Sequence, residues 1–247
     1  LRTELRVLLA HGLAHLTGHD HHHPEEAAGM AALERRLLTA LSPALAGLSG
    51  VMGLALGSVL AIARLSPRRL IAWPAGIYVN TLRSVPLLLV IFWFYFLMPY
   101  LGAWITGASR PVAVGAFKSA VITFTLFEAA YFCEIMRAGI QSIARGQSSA
   151  AQALGLTPWQ SLRHIVLPQA VRNMMPALVT RLIILFQDTS LVYVLSLTDF
   201  LGAAAKVGQR DGRLVEMYLF VAFVYMVICG TASQVVRLLE QRKAVIR

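Results

Sequence analysis

Residues 44–65 of the chain read ALAGLSGVMGLALGSVLAIARL, an apolar run that meets its first charge at Arg64. A helix of about 20 apolar residues is needed to cross a hydrocarbon core about 30 Å thick, and this run is long enough. Further long apolar runs occupy residues 77–101, 112–133, 176–197 and 216–236. The sequence therefore predicts an all-α, polytopic membrane protein with about five transmembrane helices.

The composition agrees with a membrane protein. Of the 247 residues, 57% are hydrophobic and only 14% are charged, whereas about a quarter of the residues of a soluble domain are charged. The two cysteines, Cys133 and Cys229, both lie inside apolar runs. Small buried thiols are more typical of such positions than a disulfide or a metal pair.

The net charge of +10 is typical either of a nucleic-acid-binding protein or of a multispanning protein with basic cytoplasmic loops. The second explanation fits long apolar runs, because Lys and Arg concentrate in loops that stay in the cytoplasm. We therefore predict no nucleic-acid partner, contact with membrane lipid, and multiple passes through a membrane. The basic residues of the cytoplasmic side are Arg64, Arg68, Arg69, Arg83, Arg137, Arg145, Arg163, Arg172, Arg237, Arg242, Lys243 and Arg247.

The predicted cytoplasmic segment between the third and fourth runs contains SAAQALGLTPWQSLRHIVLPQA, residues 149–170. Its first part favours a helix that ends at Gly155, a natural C-cap. Thr157, followed by Pro158 and Gln160, predicts a capping box at the start of a second helix, and we expect Pro168 to stop that helix. The exposed apolar side chains of this turn suit either a groove on a partner protein or the surface of the lipid. They are Leu154, Leu156, Trp159 and Leu162.

This segment resembles the EAA loop of the permease subunits of ABC importers. That loop has Glu-Ala-Ala, three residues, Gly, nine residues, Ile, one residue and Leu-Pro, and Ser149 here replaces the usual Glu. The resemblance implies a coupling helix that inserts into a cleft of an ATPase subunit. The residues that it implies for ATPase coupling are Ala150, Ala151, Gly155, Leu156, Ile165, Leu167 and Pro168.

The resemblance extends over residues 50–240. YVNTLRSVPLLL from Tyr78, FEAAYFCEIMRAGIQSIARGQSSAAQALG from Phe127 and LFQDTSLVYVLSLTDF from Leu185 are similar to the polar amino-acid permeases, and most similar to their glutamate/aspartate branch. This implies import of amino acids, acidic ones such as glutamate or aspartate, across the bacterial cytoplasmic (inner) membrane, which the chain would cross several times. It also implies two ATP-binding ABC subunits, a second permease subunit (identical or homologous) and an extracytoplasmic binding protein. The chain has no Gly-rich phosphate loop, so we expect neither an ATPase site nor a cofactor in this part.

Ionisable side chains inside predicted spans are costly and mark either ion pairs or a functional path. Glu128 and Glu134 lie near Arg137, and the fourth span carries Arg181. One interpretation is that these charges pair with one another. The other is that a set of polar residues lines the translocation path, with the arginine suited to a carboxylate-bearing substrate. That set is Glu128, Arg181, Gln187, Asp188 and Thr189.

Residues 1–43 differ from the rest and contain AHGLAHLTGHDH from Ala10. His11, His15 and His21 have a spacing that suits either a zinc site with an open position or a solvated His-rich turn. The string resembles the C-terminal end of YbeY-type rRNA-maturation endoribonucleases, which implies zinc bound by these three histidines. We expect a small α-helical fragment, 1–43, joined near residues 42–50 to the importer domain, 44–247, both pieces being truncated. The alternative function is that of a zinc-dependent endoribonuclease.

Overall fold

The computed structural model describes residues 43–111, 114–195, 197 and 199–244. Every regular element in these ranges is a helix. Close contacts divide the described chain into two units, one of residues 47–185 and 236–244 and one of residues 43–46 and 186–235. The elements are α1 (Pro43–Leu65), α2 (Arg69–Ser84), α3 (Leu87–Phe92), a π-helical segment (Trp93–Leu97), α4 (Met98–Thr106), α5 (Ala116–Gln141), α6 (Arg145–Ala153), α7 (Pro158–Ser161), a second π-helical segment (Leu162–Val166), α8 (Leu167–Asp188), a 3-10 helix (Thr189–Leu195), α9 (Phe200–Asp211) and α10 (Leu214–Ala244).

Within the described ranges, five helical stretches are long and apolar enough to cross a membrane. This confirms the predicted all-α fold with five transmembrane helices. The first stretch begins and ends within one residue of the prediction. The five stretches are Pro43–Leu65, Leu87–Thr106, Ala116–Gln141, Pro158–Leu195 and Leu214–Leu238.

The predicted boundaries of the second span, 77–101, are wrong. Helix α2 ends at Ser84, and the apolar stretch begins only at Leu87. Pro86 causes the break, because a proline disfavours helical angles at the residue before it. Val85 is accordingly extended, with φ −108° and ψ 136°. The amphipathic helix α2 is therefore an element separate from the span that follows it.

Two prolines are accommodated by wide helical turns rather than by helix breaks. The prediction that Pro168 stops its helix is wrong, because the chain stays helical from α7 through the second π-helical segment into α8. There the Leu167 N–H donates to the Leu162 carbonyl, five residues back. A proline clashes with the carbonyl four residues before it and has no N–H, and a wider turn relieves both problems. The π-helical segment before Pro99 has the same form.

The larger unit is built on a close contact between α1 and α5. A Cβ added to Gly53 would lie 3.0 Å from the Glu128 Cβ, and one added to Gly57 would lie 2.8 Å from the Phe132 Cβ. Glycines four residues apart allow helices to approach closely in membranes. Next to this contact, buried Ala61, Val79, Ala130 and Cys133 join α1, α2 and α5 in one cluster.

The smaller unit has a core formed by α9 and α10. Buried Phe200, Ala204 and Val207 pack with Met217 and Val221, among others. Asp199 begins α9 as its N-cap, and its carboxylate accepts hydrogen bonds from the Leu201 and Gly202 N–H groups. Burial nevertheless raises the pKa of Asp199 to about 6, because desolvation disfavours the charged form.

Candidate functional site

The candidate coupling loop (residues 145–168) begins with α6, whose C-terminus forms a Schellman turn. The Leu156 N–H donates to the Ala151 carbonyl over 3.1 Å, and the Gly155 N–H donates to the Gln152 carbonyl over 2.9 Å. Gly155 has φ +84°, a left-handed conformation that other residues adopt only with strain. The predicted glycine C-cap is confirmed.

The second helix of the coupling loop begins with the predicted capping box. The Thr157 hydroxyl accepts from the Gln160 N–H over 3.3 Å, and the Gln160 side chain accepts from the Thr157 N–H over 2.8 Å. Pro158 occupies the first helical position. Between the C-cap Leu154 and the N-cap Thr157 lie only Gly155 and Leu156, so the geometry of the turn is closely fixed.

The turn exposes large apolar side chains. Leu154 is 84% exposed and Trp159 is 66% exposed, with Leu162 at 36% and Leu156 half-buried. The other residues predicted for coupling divide by environment: Ala151 is buried, Ile165 is half-buried, and Ala150, Gly155, Leu167 and Pro168 are exposed.

The base of the coupling loop is tied to the ends of the helices around it. The Asn173 side chain donates to the Ser142 hydroxyl over 2.9 Å, which links the start of α8 to the end of α5. The Ser148 and Ser161 hydroxyls are 3.4 Å apart, and they link α6 to α7. These two contacts hold the helices of the loop together and join the two helix ends that flank it.

Two of the residues predicted for the translocation path form a buried ion pair. Arg181 donates to both carboxylate oxygens of Glu128, with Nε–Oε2 at 2.8 Å and Nη2–Oε1 at 2.6 Å. The Glu128 side chain is fully buried and that of Arg181 is 11% exposed. The guanidinium also lies 3.8 Å from the centroid of the Tyr131 ring, a cation–π contact. The interpretation that these charges pair is confirmed for Glu128 and Arg181.

The other three predicted path residues lie where α8 gives way to the 3-10 helix. Asp188 is the last residue of α8 and Thr189 begins the next element. The Thr189 hydroxyl donates to the Phe186 carbonyl over 2.7 Å. Gln187 is exposed. Gln187, Asp188 and Thr189 are three consecutive polar residues within an apolar stretch, at the point where the α-helix gives way to the 3-10 helix.

A second charge cluster, which the sequence analysis recognised only in part, surrounds Glu134. Arg64 from α1 reaches its Oε2 over 2.5 Å, Arg83 from α2 approaches the same atom at 3.8 Å, and Arg137 donates to both oxygens. Only the pairing with Arg137 was foreseen. A usable signal was present, because Glu128 and Glu134 are the only acidic residues between Glu34 and Asp188.

The histidines predicted to bind zinc, His11, His15 and His21, lie outside the described residues. Among the residues from 43 onward that the structure describes, no group of three or more His, Cys, Asp or Glu side chains is placed to hold a metal ion. The zinc prediction therefore stays a prediction.

Comparison with known families gives two matches. Residues 53–245 match the family described as "binding-protein-dependent transport system inner membrane component". Residues 1–42 match the family "endoribonuclease YbeY". Both resemblances inferred from the sequence are confirmed.

Curated relatives and solved structures agree with the first match. The glutamate/aspartate import permease protein GltK of Escherichia coli O6:H1 is 53% identical over 194 residues, covering 78% of this chain and 86% of that protein. The probable amino-acid ABC transporter permease protein YckA of Bacillus subtilis is 35% identical over 192 residues, covering 78% and 81%. The crystal structure of an amino acid ABC transporter with histidines superposes with a TM-score of 0.76 at 28% identity, covering 87% of this chain and 97% of that one. The chain therefore belongs to the family of inner-membrane components of binding-protein-dependent transport systems.

Proposed function

We propose that the chain is the permease subunit of an ATP-driven importer of amino acids, and that its substrates are acidic, such as glutamate or aspartate. The 53% identity to a glutamate/aspartate import permease supports the substrate class. The chain itself performs no hydrolysis, and partner subunits supply the ATPase activity. Residues 44–247 would require no cofactor, because their proposed role is to transmit movement and not to catalyse a reaction.

The observation that carries this proposal is the rigid coupling loop with Leu154 and Trp159 exposed at its turn. An apolar surface on a short helical turn fits a groove in a partner protein, and the expected partner is an ATP-binding subunit. Closure of two such subunits around ATP would push on the loop. The hydrogen bonds at its base would then carry the movement to the third and fourth spans.

The proposed assembly contains two ATP-binding ABC subunits, this chain, a second permease subunit and an extracytoplasmic binding protein. The family itself is described as binding-protein-dependent, which supports the last of these partners. We assign the selection of the amino acid chiefly to the binding protein. The reason is that Arg181, the cation best suited to a substrate carboxylate, is held by Glu128.

We further propose that the polar residues at the end of α8 line the translocation path. Their support is position: Gln187, Asp188 and Thr189 are consecutive polar residues within an apolar stretch, and ionisable side chains inside a span face a water-filled cavity or the protein interior. The proposed lining residues are Glu128, Arg181, Gln187, Asp188 and Thr189.

Replacing Gly155 with valine tests the coupling proposal. A β-branched residue at φ +84° is strained by about 1–2 kcal/mol or more, which distorts the turn but removes no contact, since nothing lies within 4 Å of this position. We expect Gly155→Val to weaken binding of the ATP-binding subunits by about tenfold and to lower glutamate uptake in proteoliposomes in parallel.

Gly146→Val is the matched control for this experiment. Gly146 lies in the first turn of α6, nothing lies within 4 Å of it, and it is not among the glycines with positive φ. The same substitution there should leave assembly and uptake unchanged. Normal uptake in Gly155→Val, or an equal loss in both variants, would contradict the proposed role of the turn.

A second candidate function rests on the YbeY match of residues 1–42. We propose that this YbeY-like segment is joined to the transport domain, and that transport rather than RNA cleavage is the activity of the chain. Zinc binding by His11, His15 and His21 would be its remaining property. Metal-dependent cleavage of RNA by the purified chain, abolished by His11→Ala, would favour the endoribonuclease instead.

A further inference from the structure

Helix α2 (Arg69–Ser84) has two apolar faces. The inner face packs on the protein, where Ala75 and Val79 are buried and the Tyr78 hydroxyl donates to the Leu126 carbonyl over 2.8 Å. The outer face is exposed: Leu70 is 92% accessible, Trp73 71% and Ile77 46%. Residues 70, 73 and 77 lie on one side of a helix with 3.6 residues per turn. This outer face needs an apolar environment that the described residues do not provide.

The charges around α2 are almost all positive. Arg68 and Arg69 stand at its start and Arg83 at its end, and no Asp or Glu occurs between residues 43 and 127. By the helical period, Arg69 and Arg83 lie on the same flank, between the inner and outer faces. Both arginines at the start are exposed.

The end of α2 joins the charge cluster around Glu134, where cations outnumber carboxylates. Arg64, Arg83 and Arg137 share this one carboxylate. The site is therefore positively charged even with its internal pairing satisfied. An anionic surface beside the cluster would bring compensating negative charge.

An apolar face beside a basic flank, with a tryptophan between them, is the pattern of a helix that lies in the membrane interface. α2 is not among the stretches long and apolar enough to span the membrane. It follows α1 directly, beyond the basic end marked by Arg64. The apolar face would thus meet the acyl boundary and the arginines the headgroup layer.

We propose that the outer face of α2, together with Arg68, Arg69 and Arg83, is a binding surface for anionic phospholipid headgroups on the cytoplasmic leaflet. A second copy of this chain fits the surface less well. If two copies met through this face, each would bring the same arginines to the contact without a compensating carboxylate, and like charges repel. Lipid phosphates supply the missing negative charge.

Fluorescence quenching of Trp73 by brominated lipids tests this proposal. The full chain, with Trp93, Trp104 and Trp159 changed to Phe, is reconstituted into bilayers that contain brominated phosphatidylglycerol or brominated phosphatidylcholine at equal mole fractions. We expect quenching by both lipids, with a clear preference for phosphatidylglycerol. In Arg68→Gln/Arg69→Gln, the relative affinity for phosphatidylglycerol should fall by about fivefold for each arginine removed.

Two controls separate this surface from general lipid contact. A chain whose only tryptophan is Trp104, 82% exposed near the end of the second span, should be quenched equally by both lipids. The exposed pair Arg145→Gln/Arg163→Gln makes the same charge change away from α2 and should leave the Trp73 preference intact. Absence of Trp73 quenching would mean that protein covers this face, and equal quenching by the two lipids would remove the anionic site. Either result overturns the proposal.

Discussion

Arg181 is fixed by two kinds of contact at once. Its guanidinium forms two parallel hydrogen bonds with Glu128 and lies over the ring of Tyr131. A bidentate pair is strongly directional, and the side chain of Glu128 is fully buried. A charge in such a place is tolerated only while its partner stays in position.

Removing one member of this pair should therefore destabilise the protein more than removing both. We expect Arg181→Met to lower the free energy of unfolding by about 3–5 kcal/mol, because Glu128 is left buried without its main counter-charge. Glu128→Gln/Arg181→Met should recover most of that loss. Thermal unfolding of the purified chain in detergent measures both variants.

The same pair of variants also tests the translocation path. If the ion pair only fixes the two spans, the double variant should transport glutamate at close to the normal rate once its stability is restored. A stable double variant without uptake would place the charges themselves in the path. Equal stability of Arg181→Met and the unsubstituted chain would contradict the structural role.

At the scale of single residues, the sequence predicted local geometry well and distant pairing poorly. The Gly155 cap and the Thr157 capping box follow from residues within a few positions of one another, and both are present. The contact between Arg64 and Glu134 joins residues 70 positions apart. Such a contact depends on how helices pack, which a local pattern does not contain.

At the scale of elements, α1 and α5 approach closely through two glycines. A Cβ at Gly57 would lie 2.8 Å from the Phe132 Cβ and 2.9 Å from the Ala129 carbonyl oxygen. Neither atom belongs to the flexible end of a side chain, so the helices themselves would have to separate. Helix packing in membranes depends on such small residues.

Gly57→Ala should therefore lower the free energy of unfolding by about 1–3 kcal/mol, as overpacking of a dense contact does. Gly47→Ala, in the same helix but with nothing within 4 Å, should be neutral or slightly stabilising because alanine favours helices. Unfolding midpoints in one detergent compare the two. A neutral Gly57→Ala would show that this contact is looser than the distances indicate.

The boundaries of the elements were the least predictable feature. Pro86 and Pro168 are both prolines near apolar runs, yet the chain breaks before the first and continues through the second. The difference lies in the π-helical turn of residues 162–166, which moves the interfering carbonyl away. Nothing in the residue types alone distinguishes these two outcomes, because a wide turn is stabilised by its surroundings.

At the scale of the whole molecule, the apolar runs predicted five spans because hydrophobic length is a direct requirement of the bilayer. The coupling loop was predictable for a different reason, since its motif is short and contiguous. The lipid-facing surface of α2 was not predicted. The predicted second span, 77–101, included the end of α2, which stops at Ser84, so α2 was not recognised as a separate helix. The exposure of its outer face is a property of packing.

Cysteine crosslinking tests directly whether the coupling loop contacts an ATP-hydrolysing subunit. The chain's own Cys133 and Cys229 are buried, so a cysteine introduced at Leu154, which is 84% exposed, is the accessible thiol in the described part of the chain. In membranes that contain the assembled transporter, Leu154→Cys should crosslink to the ATP-binding subunit through a short bifunctional maleimide. Trp104 lies in the second span and is 82% exposed. The control variant Trp104→Cys should not crosslink to the ATP-binding subunit. A transporter that still imports glutamate while Leu154→Cys yields no crosslink to that subunit would contradict the account.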